Sequence, residues 1–252
     1  MASNTTSPGS RWTVPVNLSP SRIESFVSCP LSFRFASIEK LPDPPTEATT
    51  KGSLVHRALE LFFAYPPDER TPACLDRSVD AAIIEFHDRP EFIDLHLDTD
   101  AALRLEHDAR RLAANYLQLE NPAEVNAIGL ELWMEAPVGE VTLRGIIDRL
   151  DLTNDGELVV TDYKTGRAPS PQWERKSLSG VHFYAFMCES VLGQRPAAVR
   201  LMYLRSGETI TATPTPQSIR FMTTRTKAVW SAIRTACERD DFRPKKSALC
   251  RF

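Results

Sequence analysis

The chain has 252 residues, with 30 Lys and Arg against 33 Asp and Glu for a net charge of −3, and it is 42% hydrophobic and 25% charged. That balance is ordinary for a globular protein of one large domain or two small ones, and it gives no general attraction to polyanions. No apolar run approaches the roughly 20 residues that a bilayer crossing needs, so no membrane partner is expected. The opening MASNTTSPGS has neither a basic start nor an apolar stretch, so residues 1–17 read as a disordered tail and a cytoplasmic protein is expected. Cys29, Cys74, Cys188, Cys237 and Cys250 are odd in number and scattered, which argues against a disulfide framework and for buried thiols.

Ser19-Pro20 is a helix start, with a hydroxyl to cap free amides and a proline at the first helical position, and the helix is expected to run to about Ser28. Cys29-Pro30 breaks it and opens a second helix through Phe33 and Phe35. The proline-rich LPDPPTEATT from Leu41 reads as a connection without periodicity. Lys51 to Ala64 is helical again, with Leu54, Val55, Ala58, Leu59 and Phe62 as its apolar stripe and His56 near the stripe's edge. Helical patterns follow from Pro72 to His87 and from Asp100 to Leu119, separated by a polar stretch.

From Asn126 the pattern turns to strands: GLELWMEA, then TLRGIIDRLDL and ELVVTDYK around an Asn154-Asp155-Gly156 turn, and later AAVRLMYLRS and ETITAT. Helices are expected from Gln172 to Leu192, closed by Gly193, and from Pro216 to Glu238. No internal repeat is present. The order implies an α/β fold with a mixed central sheet flanked by helices, a helical region over about 18–120 preceding a sheet core over about 125–252.

The hairpin carries the chemistry. Side chains alternate faces along a strand, so Asp162 and Lys164 share one, about 7 Å apart at the Cα atoms, with Asp148 across the turn. Two readings compete for these charges. One is a surface salt bridge at a strand end, worth about 0–1 kcal/mol. The other is a hard cation held by Asp148 and Asp162, with Lys164 beside a reacting phosphate or water; oxygen ligands suit Mg2+ or Mn2+ better than zinc. Arg167, Arg175 and Lys176 after the hairpin, and Arg220, Arg225 and Lys227 on the last helix, are candidates for a local basic patch, with a solvated helix face as the plainer reading.

Taken in order, GSLVH, ELWMEA, GIIDRLD, VVTDYKTG and FYAF resemble the RecB-like branch of the PD-(D/E)XK nucleases, which includes CRISPR-associated exonucleases and the nuclease modules of recombination helicases. The resemblance covers most of the chain and implies one nuclease domain over residues 18–252 with a restriction-endonuclease-like core. It implies that Asp148 and Asp162 bind metal with help from His56 and the Tyr163 carbonyl, that Lys164 is the motif lysine, and that Glu131 orients a water or joins the metal shell, with Glu135 its competitor. Tyr184 matches a DNA-contacting tyrosine, yet Gly180 stands where relatives carry a glutamine four residues earlier, and Gln172 is far upstream. Gly145 and Gly166 are places where backbone or substrate can approach closely.

Many relatives also hold an iron-sulfur cluster on four cysteines, of which Cys29 and Cys250 match the first two; a truncated chain and a lineage without the cluster both explain the incomplete set. The expected activity is metal-dependent hydrolysis of DNA by an exonuclease on single strands or ends, in repair, recombination or spacer processing. A helicase or CRISPR adaptation complex is the expected partner, and a non-catalytic DNA-binding or scaffolding subunit is the alternative.

Overall fold

The computed structural model describes residues 11–169, 179–246 and 250. Its N-terminal part contains β1 (Asn17–Leu18), α1 (Pro20–Ser28), α2 (Pro30–Phe33), α3 (Glu47–Phe63), α4 (Pro72–His87), α5 (Pro90–Ile93) and α6 (Thr99–Asn115). Then come β2 (Ala127–Val138), β3 (Val141–Leu152), β4 (Leu158–Lys164), α7 (Ser179–Leu192), β5 (Ala198–Tyr203), β6 (Glu208–Ala212) and α8 (Pro216–Arg239).

Several boundaries differ from the sequence reading for local reasons. α3 begins four residues before Lys51 because Thr46 and Thr49 cap it reciprocally, so part of the expected connection is its first turn. α2 stops at Phe33, and Phe35 lies in a π-helical turn, Arg34–Ile38. Past Asn115 the helix tightens into a 3-10 turn over Tyr116–Gln118, and the polar stretch before α6 holds the short α5.

Among the described residues the strands form one mixed six-stranded sheet in the order β1-β3-β4-β5-β6, with β2 on the other edge of β3. β2–β3, β3–β4 and β5–β6 are antiparallel, while β1–β3 and β4–β5 are parallel. The parallel β4–β5 step needs a crossover, and α7 lies on that connection. β2 and β3 turn tightly through Gly139, whose φ of 68° is a conformation that glycine adopts without strain.

Two apolar cores flank the sheet. One joins α1, α7 and α8 to Leu143, Ile147, Leu150, Val160 and Leu201; the other joins α3, α4 and α6 to Tyr163, Met202 and Leu204. Covered on both faces, β4 is buried from Leu158 to Tyr163 and reaches the surface only at Lys164. Cys74, Cys188 and Cys237 are buried, as expected of structural thiols. No helix among the described residues is long and apolar enough to cross a membrane.

Candidate active site

Three elements converge at the end of β4. α3 brings His56, β2 brings Glu131, and the β3–β4 hairpin brings Asp148, Asp162 and Lys164. Arg149 pairs with Thr161, so the next rung sets Asp148 opposite Asp162; Leu130↔Arg149 and Leu132↔Ile147 likewise set Glu131 opposite Asp148. Glu131 has φ of 42°, a left-handed conformation that is uncommon and strained for a non-glycine residue and that breaks the strand's alternation where its carboxylate turns toward His56. Two glycines permit the close packing. A Cβ on Gly52 of α3 would meet Thr165 Oγ1 at 3.4 Å, and one on Gly145 would fall 2.3 Å from the Phe183 ring of α7.

His56 Nδ1 lies 3.5 Å from Asp148 Oδ2 and 3.8 Å from Glu131 Oε1, while its Nε2 lies 3.0 Å from the Tyr163 carbonyl. The Tyr163 N–H donates to Asp148 Oδ2 at 2.7 Å, so one residue's backbone aligns both groups. Tyr184 donates its hydroxyl to Asp162 Oδ1 at 2.5 Å, and Lys164 Nζ pairs with Asp162 Oδ2. That Oδ2 is buried and, despite the ion pair, lacks an aligned hydrogen bond. Burial and then the Asp162 charge push the Asp148 carboxyl up to about 7. Burial disfavours charge on His56 and Lys164 as well. The Glu131 hydrogen bond and the Asp148 charge outweigh it at His56, and the Asp162 pair does so at Lys164, so both sit above their usual values.

Ligand atoms of His56, Glu131 and Asp148 all lie within 4.8 Å of one another, a spacing one metal ion can span. Two carboxylates, one imidazole and the neighbouring unsatisfied Asp162 oxygen fit a hard divalent cation, with the Tyr163 carbonyl orienting the imidazole from its far nitrogen. Beside them opens a pocket of about 530 Å3 lined by Ser53, Arg57, Glu60 and Glu91 as well as His56 and Glu131.

The structure thus gathers His56, Glu131, Asp148, Asp162, Tyr163, Lys164 and Tyr184 into one constellation. Glu135 is elsewhere on the hairpin, 3.0 Å from Arg144. Arg167 is exposed just beyond β4; Arg225 pairs with Glu24 at 2.6 Å, and Arg220 and Lys227 are exposed on α8. Gln172, Arg175 and Lys176 lie outside the described residues. Gly166 has open space around it, so it shapes no close contact among the described residues. Cys29 Sγ accepts the Lys245 N–H at 3.4 Å, which returns the C-terminal segment toward α1, and Cys250 is exposed.

One residue escaped the sequence reading. Arg149 is fully buried on the opposite face, bound to Asp151 at 2.8 and 2.9 Å, to Glu120 at 2.6 Å and to the Tyr163 hydroxyl at 2.7 Å. It anchors the ring of the residue whose backbone holds Asp148 and His56. An arginine set between two aspartates in a buried strand was the available signal.

With this geometry established, the similarities to other proteins are informative. The signature of the PD-(D/E)XK nuclease superfamily matches residues 17–252. The chain belongs to that superfamily. It is also 29% identical over 160 residues, 61% of this chain, to one of the subunits of the ATP-dependent helicase/deoxyribonuclease of Streptococcus mutans serotype c, and it spans 14% of that relative. A crystal structure from Eubacterium rectale, of a protein provisionally described as an exonuclease, shares the fold at a TM-score of 0.56 and 9% identity, over 94% of this chain and 87% of that one. The restriction-endonuclease-like core expected from the sequence is the fold observed.

Proposed function

We propose that this PD-(D/E)XK protein is a catalytically active, metal-dependent DNA nuclease, an exonuclease acting on single strands or ends, with Asp148, Asp162, Glu131, His56 and Lys164 as its centre. The observation that carries the reading is the convergence of His56, Glu131 and Asp148 within 4.8 Å beside the Asp162–Lys164 pair. Bound there, Mg2+ or Mn2+ supplies charge neutralisation of the phosphate and a water of lowered pKa.

The protein's own groups do the rest. Glu131, Asp148 and His56 would hold the ion, and Tyr163 fixes two of them through its backbone. Lys164 remains protonated beside Asp162, so its ammonium stabilises charge developing on phosphate oxygen rather than acting as a free base. Tyr184 holds Asp162 in place from α7. The Streptococcus relative, part of a helicase/deoxyribonuclease, supports a helicase as partner.

The test is digestion of end-labelled single-stranded DNA with Mg2+ or Mn2+. Wild-type protein cleaves, while Lys164→Ala loses about 100-fold or more of the rate and keeps DNA binding. Full activity in that variant removes the assignment. The rival reading, a non-catalytic DNA-binding or scaffolding subunit, draws on Gly180 at the position of the family's glutamine. Metal-dependent cleavage by the wild type rejects it.

A further inference from the structure

β3 has an interrupted edge. β2 occupies one side along nearly its whole length, so β1 and β4 must share the other. β1 pairing ends at Leu18↔Leu143 and β4 pairing begins beside Asp148 and Arg149, so residues 144–147 have no partner strand on that side among the described residues. A groove of about 480 Å3 opens there, between the start of α1 and the middle of the β2–β3 hairpin, and Tyr184 lines it. The same Tyr184 hydroxyl binds Asp162, so one side chain both lines the groove and holds an acid of the candidate active site.

The groove's rim is unusual for a surface. Trp133 and Ile146 are paired across the hairpin and left 57% and 43% exposed, while Met134 and Ile147 beside them are buried. Single exposed apolar side chains need no explanation, but these two form one platform at the mouth of a cleft. Two arginines face the same cleft. Arg22 is held by Asn17 and the Ser37 carbonyl, neither of which neutralises it, and Arg144 pairs among the described residues with the half-exposed Glu135. Burial and the nearby Arg144 charge lower the Arg22 pKa, which marks two like charges held close. The Trp133↔Ile146 rung lies two residues from the Glu131–Asp148 rung, about 7 Å along the strands.

We infer that this groove binds the nucleotide adjacent to the scissile phosphate of single-stranded DNA, with its base stacked on Trp133 against Ile146 and its phosphate between Arg22 and Arg144. The inference rests on the nuclease reading for its direction and adds the strand preference. A base inside a duplex has its faces covered by neighbouring pairs, whereas an unpaired base offers a face to an aromatic ring, and a guanidinium pair matches a phosphate. Every base has such a face, so the platform is tolerant of sequence.

Fluorescence anisotropy of a labelled oligothymidylate, against a hairpin duplex of matched length, tests this. Ca2+ replaces Mg2+, because it accepts oxygen ligands in looser geometry. Trp133→Ala weakens single-strand binding about tenfold or more, Trp133→Phe recovers most of it, and duplex binding stays unchanged in both. Undiminished single-strand binding by Trp133→Ala, or an equal loss for the duplex, overturns the inference. Its failure is separable from that of the nuclease reading. Wild-type cleavage with binding indifferent to Trp133 rejects the groove alone; selective binding loss in a protein that never cleaves upholds the groove and rejects catalysis.

Discussion

Asp148 and Arg149 are neighbours in β3, but their side chains enter opposite faces of the sheet and join two different clusters of charge. On one face Arg149 and Arg200 stand among Asp151 and Glu120, and the Arg149 guanidinium also binds the Thr161 and Tyr163 hydroxyls. Cations and anions there balance, and the guanidinium has no contact with solvent. On the other face Glu131, Asp148 and Asp162 meet Lys164 and His56, with one buried carboxylate oxygen left without an aligned hydrogen bond. A closed, balanced cluster holds a fold together. An acid-rich, incompletely satisfied one can accept a cation from outside.

Tyr163 links the two. Its ring belongs to the balanced cluster and its backbone to the acidic one, so the first stiffens the second.

The sharpest way to break this contrast is to remove one member from each cluster. Arg149→Met leaves Asp151 buried without its paired guanidinium and Glu120 with the half-exposed Arg200, at a cost of about 3–5 kcal/mol, so the urea midpoint falls steeply. Asp162→Asn removes a repelling charge beside Asp148, so the midpoint of metal-free protein stays level or rises while cleavage is lost. Equal destabilisation by the two substitutions would mean that the clusters do not differ in kind.

A smaller effect sharpens the contrast through pH. The Asp148 carboxyl is raised to about 7 and His56 also sits above its usual value, so the folded state carries more protons than the unfolded chain from about pH 4 to beyond 7. Their contribution is complete at acidic pH and disappears as pH climbs through the folded values. In EDTA the urea midpoint is therefore higher at about pH 5 than at about pH 8, and the drop shrinks in Asp148→Asn. An identical drop in that variant would contradict the assignment.

Much of the site was legible because it depends on local rules. Strand alternation placed Asp162 and Lys164 together, and their ion pair bears that out. Ser19 before Pro20 caps α1 as the sequence implied, its hydroxyl accepting the Arg22 N–H. What escaped depends on distant partners. β1 is two residues long and exists only because Thr142 and Leu143 lie beside it. The burial of Arg149 follows from helices covering both faces of β3, which alternation cannot express. The left-handed turn at Glu131 has no glycine or asparagine to announce it.

Calorimetric titration with Mn2+ at about pH 8 tests the central assignment most directly. Wild-type protein takes up the ion at the His56, Glu131 and Asp148 cluster, and Asp148→Asn weakens uptake by tenfold or more, roughly 1.4 kcal/mol. Equal uptake by both proteins, or none by the wild type even with single-stranded DNA present, would contradict it.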